Sequence, residues 1–201
     1  MQPLSRRGFM IAGTGAASLA LLAGCEMTPP RNDFARIGFD HRQPLRFDVA
    51  SIEVIQQYEA PREAPYVGHR FPDPLPEVAE RWGHQRLKAE GPRNNARFTI
   101  QEASVVEQEL AGTQGLKRFF VIDQSERYDA RLRAELEIRD SSDGARRVVR
   151  ADVRRSLTVA EDASLTEREA IWFQLTEDLM RRFDREMEQV VRENLTPWLL
   201  N

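Results

Sequence analysis

Few residues in this chain have the type and spacing to do chemistry. Cys25 is the one thiol, so no intramolecular disulfide forms and no cysteine-rich metal site exists. The three histidines, His41, His69 and His84, lie far apart, and none has the spacing that sets two imidazoles on one helix face. His84 falls on a helical stretch and is expected to face solvent. No G-x-S-x-G elbow and no phosphate loop is found. Gly13-Thr14-Gly15 lies in the leader without a preceding strand and is set aside. Glu161-Asp162 and Glu177-Asp178 are adjacent carboxylates, and adjacent side chains diverge on a helix, so they make poor acid/base couples. The chemistry that remains belongs to Cys25, whose sulfur can take a thioether-linked diacylglycerol.

The sequence before Cys25 supports that chemistry. Leu22-Ala23-Gly24-Cys25 matches the bacterial lipobox at every position. Leu22, Ala23 and Gly24 are then the signal-peptidase recognition residues, the small pair letting the enzyme approach the backbone. Ser5-Arg6-Arg7-Gly8-Phe9 resembles the twin-arginine export motif, with Met10 where leucine is usual and Ile11 where lysine is common. Arg6, Arg7 and Phe9 are the expected export signal. The apolar run from Phe9 to Ala23 covers roughly 22 Å as a helix, short of the ~30 Å hydrocarbon core, which argues against a spanning anchor. The expectation is a signal peptide over 1–24 and a Cys25 bearing diacylglycerol and an N-acyl chain, with no other cofactor and no metal. Two or more acyl chains hold a protein stably to a bilayer. Glu26 is not the aspartate that retains some lipoproteins in the inner membrane, which favours the outer membrane.

The chain has 201 residues, 41% of them hydrophobic, enough for one domain with a true core and too few for a polytopic membrane protein. It carries 29 basic against 32 acidic residues, and all the basic ones but Lys88 and Lys117 are arginine. That balance argues against a nucleic-acid partner held by a net basic field.

The elements follow from periodicity. Residues 25–44 hold Pro29, Pro30 and Pro44 and no period, and read as an acylated flexible tether. Residues 45–201 read as one α+β domain: an antiparallel sheet of about four to five strands, packed by one short helix and a long C-terminal helix. Leu45 to Tyr58 is expected as a strand with a bulge near Ala50-Ser51. Phe71 to Pro76 reads as a rigid exposed lead-in, with Asp73 capping a helix that runs through Trp82 and Ala89 to Gly91-Pro92. Phe98 to Leu110 and Leu116 to Ile122 are expected as strands joined across Ala111 to Gly115. Tyr128 to Arg139 alternates apolar and charged without error, the pattern of a strand with one dry and one wet face. A four-residue loop over 141–144 sets Glu135 against Arg150 and Arg133 against Asp152, whereas a two-residue turn sets like charges together. Ser164 and Glu167 form a capping-box pattern ahead of a stripe through Trp172, Leu175, Leu179, Phe183, Met187 and Val191. After Pro197, Trp198, Leu199 and Leu200 are expected either to fold back on the sheet edge or to contact a partner.

Four stretches carry a family resemblance: Phe47-Asp48-Val49-Ala50, Arg127-Tyr128-Asp129-Ala130, Leu136-Glu137-Ile138-Arg139-Asp140 and the helix start from Trp172 to Met180. On them the mature domain resembles the uncharacterised exported lipoproteins of alphaproteobacteria, a family that implies no established activity. The layout is also similar in architecture to outer-membrane accessory lipoproteins that aid lipopolysaccharide assembly or lipid-transport ABC systems. The expected protein is a periplasm-facing envelope lipoprotein, a non-enzymatic accessory or binding module for assembly or transport, whose partners are the membrane and an envelope protein or acyl lipid. The competing expectation is an anchored periplasmic hydrolase with a scattered site.

Overall fold

The alternation from Tyr128 to Arg139 becomes the centre of the molecule. The structure is a computed structural model that describes residues 33–110, 124–141 and 144–200. Arg31–Asn201 form one compact unit. Strand β5 (Gln124–Arg139) lies between β4 (Asn95–Glu109) and β6 (Arg146–Ala160), antiparallel to both. Tyr128, Ala130, Leu132, Ala134, Leu136 and Ile138 are all buried. Glu135 faces Arg150 and Arg133 faces Asp152, the register that the charge argument favours. Gly144 closes the loop in the left-handed region (φ 70°), where glycine has no side-chain penalty. Two like-charged pairs remain between β5 and β6: Arg131 opposite Arg154, where Arg131 turns to Asp152 and Glu102 instead, and Arg139 opposite Arg146, which both turn to Glu137.

In β4 the apolar phase changes after Ile100, and a register shift between Ile100 and Glu102 accounts for it. The extra residue brings Ala103 and Val105 back to the face already occupied by Phe98 and Ile100, and all four are buried.

The bulged strand expected over Leu45–Tyr58 is instead two strands in two sheets. Strand β1 (Leu45–Phe47) pairs in parallel with β3 (Leu87–Ala89), and β2 (Ser51–Gln56) pairs in parallel with β4. The main sheet is therefore mixed, in the order β2-β4-β5-β6. Parallel neighbours need a crossover, and α1 (Leu75–Arg86) supplies it. The step between the two sheets is pinned at Gly91, whose N–H donates to Val49 O at 3.0 Å. A Cβ on Gly91 would stand 2.5 Å from the carbonyl carbon of Asp48, so only glycine fits there.

Helix α1 buries Leu75, Val78, Ala79 and Trp82 and stops at Arg86, a turn before the expected Ala89, because Leu87 enters β3. Asp73 does not cap it. Pro74 occupies the cap position, and the buried Asp73 carboxylate takes the Arg81 guanidinium and the Ile37 N–H. The lead-in is not an exposed edge either: Phe71 is buried and stacks on Trp172 at 5.1 Å. Gly83 lets α1 approach the sheet closely, since a Cβ there would meet Phe98 at 3.0 Å and Val54 at 3.2 Å.

Helix α2 (Leu165–Asn194) opens with the expected capping box between Ser164 and Glu167. Its 30 residues span about 45 Å. Trp172, Leu175, Leu179, Phe183, Met187 and Val191 are buried against the sheet, with Met180 beside them. Both helices share one core, in which Trp82, Phe98 and Phe183 meet at ring distances of 5.0–6.3 Å.

Part of the stretch expected as tether is built into this domain. Ile37 and Phe39 are buried, Phe39 N–H donates to Gln85 Oε1 at 2.7 Å, and Arg81 donates to Ile37 O at 2.8 Å. Two apolar side chains and a set of backbone partners hold residues 37–39 in place without any regular period. The expected leader over 1–24, tether residues 25–32, the hairpin across Ala111–Gly115 and the strand over Leu116–Ile122 lie outside the described residues.

Candidate functional site

The two helices and the lead segment, residues 33–44 ahead of β1, are joined by buried charge. Arg86, 1% exposed, donates from Nε to Asp184 Oδ1 at 2.6 Å and from Nη2 to Glu188 Oε2 at 2.6 Å. The Trp82 indole N–H donates to the same Asp184 oxygen at 2.9 Å. Arg42 Nε donates to Asp184 Oδ2 at 3.0 Å. Asp184 thus receives donors from α1 and from the lead segment, which satisfies the desolvated charges on both sides. Sequence reasoning did not single out Asp184. Its signal was its position, four residues after Met180 and three before Met187, inside the buried stripe of α2.

That seam fixes the orientation of α2 and with it an arginine-lined hollow on the helix's outer side. Arg181, Arg182 and Arg185, with Asp178, Glu186 and Gln189, lie on one face of α2, and Arg155 of β6 forms the opposite wall. The hollow is open and measures about 680 Å³. Asp178 holds Arg155 at 3.3 Å and also pairs with Arg181. Glu186 accepts the Asp152 backbone N–H at 3.3 Å. Arg182 and Arg185 are exposed and have no carboxylate partner among the described residues. A smaller crevice of about 340 Å³ lies across α2, between Ile37, Phe39 and Met180, and shares Arg181 and Arg185 with the hollow.

Two tyrosine sites complete the polar clusters. The Tyr128 hydroxyl lies 2.8 Å from Glu107 Oε1, also contacts Glu126, and accepts from Arg168 Nη1 at 2.8 Å. Burial first, and then Glu107, push its phenol well above the ordinary value. Tyr58 is pushed up to about 12, by burial and then by Tyr66 and Glu102. Both phenols therefore stay protonated at physiological pH, and that of Tyr128 donates to a carboxylate. The histidines lie apart: His69 lines a separate cavity of about 580 Å³ beside Tyr58, His41 lines the crevice beside α2, and His84 is exposed on α1 with Glu80 at 3.9 Å. Among the described residues no group of three or more His, Cys, Asp or Glu side chains could hold a metal ion. No helix among them is long and apolar enough to cross a membrane.

Cys25, the export residues Arg6, Arg7 and Phe9, and the recognition residues Leu22, Ala23 and Gly24 lie outside the described residues. The C-terminal residues are described. After the single turn Thr196–Trp198, Leu199 bridges antiparallel to Phe47. Asp48 N–H donates to Trp198 O, and Leu200 N–H to Arg46 O, both at 2.8 Å. Trp198 and Leu199 are partly buried against the core, and Leu200 remains 38% exposed.

No family model and no curated protein matches the chain. Among solved structures, rare lipoprotein B from Shewanella oneidensis is similar over 71% of this chain and 95% of its own, at 12% identity and a TM-score of 0.38. A minor lipoprotein from Acinetobacter baumannii is similar over 79% of this chain and 99% of its own, at 13% identity and a TM-score of 0.38. Both of those proteins are lipoproteins.

Proposed function

We propose that this chain is a membrane-anchored lipoprotein of the bacterial envelope, a non-enzymatic accessory or binding module for envelope assembly or transport. The observation that carries the reading is the Leu22-Ala23-Gly24-Cys25 box, set after an apolar run and ahead of a chain that folds as one α+β unit. Arg6, Arg7 and Phe9 direct twin-arginine export, a signal peptidase reads Leu22, Ala23 and Gly24, and Cys25 carries the diacylglycerol and N-acyl chains. The domain faces the periplasm, and Glu26 after the anchor favours the outer membrane. An envelope protein or an acyl lipid is the partner. At the C-terminus the exposed flank of Leu200, with Trp198 and Leu199 behind it, offers the contact.

Labelling with a palmitate analogue tests the anchor. The wild-type chain takes the label and sediments with membranes; Cys25→Ala does neither. An unlabelled wild type ends the lipoprotein reading. Crosslinking from intact membranes then identifies the partner. Stoichiometric zinc or iron in the purified protein would favour an anchored periplasmic hydrolase instead.

A further inference from the structure

We infer that the arginine-lined hollow between α2 and β6 is a binding site for a phosphate-type oxyanion, seated by Arg182 and Arg185. This goes beyond the anchored-module reading and stands without it.

The placement is a consequence of helical spacing. Residues 181, 182, 185 and 186 lie three, four, seven and eight positions after residue 178, so all five share one face of α2. The Asp184 seam turns the adjacent face inward and leaves this one toward Arg155. Four guanidinium groups therefore stand around one hollow with only two carboxylates among them.

Those two carboxylates are already engaged. Asp178 is shared by Arg155 and Arg181, and Glu186 accepts a backbone N–H from the edge of β6. Arg182 and Arg185 keep their donors free among the described residues, one helical turn apart on the same hollow. Some exposed arginines elsewhere are paired, as Arg46 is with Glu90 and Arg192 with Glu188, and others, such as Arg36, Arg93 and Arg154, have no carboxylate within salt-bridge reach among the described residues; what sets Arg182 and Arg185 apart is that they share one hollow with Arg155 and Arg181. A guanidinium offers a planar fork of donors matched to two oxygens of one oxyanion. Two such forks flanked by two further arginines suit a group with three terminal oxygens and close to two negative charges. That is a phosphate monoester or inorganic phosphate, and its source is either a free anion or a lipid headgroup.

The test uses the full chain in a nonionic detergent, with two probes. One is inorganic phosphate; the other is the same detergent doped with phosphatidic acid, which presents a phosphate monoester at the micelle surface. The Nε–H resonances of Arg182 and Arg185 are expected to shift on titration with at least one probe. A response to inorganic phosphate assigns a free anion, and a response to the doped micelles alone assigns a headgroup. Arg182→Gln and Arg185→Gln should each weaken binding about tenfold, the usual effect of losing one charge-assisted contact. Arg182→Lys should weaken it less, since it keeps the charge and loses the fork. Arg93→Gln, an equal charge change at an exposed residue outside the hollow, should leave affinity unchanged. Unmoved resonances with both probes overturn the proposal, as does an equal loss of binding in Arg93→Gln. Arg182 and Arg185 are both exposed, so neither variant should disturb folding; the wild-type resonances remain decisive whether or not one does.

Discussion

The outer face of the sheet and the seam between the helices are built from the same residue types, arginine and carboxylate, in opposite surroundings. On the outer face, Glu135 meets Arg150 at 3.1 Å with the arginine 61% exposed. In the seam, Arg86 meets Asp184 at 2.6 Å with the arginine 1% exposed. The first pair reaches solvent through its arginine, though Glu135 itself is 12% exposed; the exposed guanidinium is screened by salt and gives up side-chain freedom, so the net worth is about 0–1 kcal/mol. The second has lost its water, and each partner depends on the other to offset desolvation. The outer pairs steer register without contributing much stability; the seam holds two helices and the lead segment in one arrangement.

Breaking the seam should produce the largest effect. Asp184→Ala strands the Arg86 Nε–H and the Trp82 indole N–H, leaves the buried guanidinium with Glu188 alone, and should cost about 3–5 kcal/mol in chemical denaturation. A loss below about 1 kcal/mol would mean that water enters the seam and that the contrast with the outer face is false. The dry side of β5 gives the apolar reference. Leu136→Ala removes a fully buried side chain and should cost about 2–5 kcal/mol, measured the same way.

Glu137 sharpens the comparison because it lies on the outer face yet is only 5% exposed, covered by Arg139 and Arg146. The hydrogen bond from Arg139, then that from Arg146, hold its carboxyl below the ordinary value. A depressed folded-state value stabilises the fold above the ordinary carboxylate range, and that stabilisation is lost as pH falls through the lowered value. The difference in melting temperature between wild type and Glu137→Gln should therefore be full at neutral pH and shrink below about pH 4. A difference that does not change with pH would remove Glu137 from the ionised groups that support the sheet. The smallest effect belongs to the open surface: Arg150→Ala should cost no more than about 1 kcal/mol, and added salt should reduce even that.

The same contrast explains what could be read in advance. β5 was legible from Tyr128 to Arg139 because each of those residues answers to a local rule, apolar inward and charged outward at period two. The capping box of α2 was legible because Ser164 and Glu167 complete each other within one turn. The charge register of β5 and β6 needed only the loop length. The break of Leu45–Tyr58 into two sheets was not legible, because both strands have parallel partners far along the chain, Leu87–Ala89 and Asn95–Ile100. A change of apolar phase is the same local signal whether the chain bulges or leaves the sheet. Asp73 satisfied the pattern of a helix cap, but Arg81 and the Ile37 N–H compete for its carboxylate and hold it. At the candidate hollow, the arginines of α2 were visible as a polar face. Their common wall with Arg155 was not, because it joins residues on two separate elements.

By itself the sequence determined the fold class, the strand at the centre of the sheet, the long capped helix and the Cys25 box, because each depends on spacing within a few turns or on a contiguous motif. Only the tertiary structure decided that Asp184 is a buried junction, that residues 37–39 belong to the domain, that Gly91 marks the crossing between sheets and that Arg182 and Arg185 stand beside Arg155 with no carboxylate partner among the described residues. Those outcomes depend on which distant groups compete for the same space and the same proton donors. That competition is resolved only when desolvation forces each buried charge to find its partner.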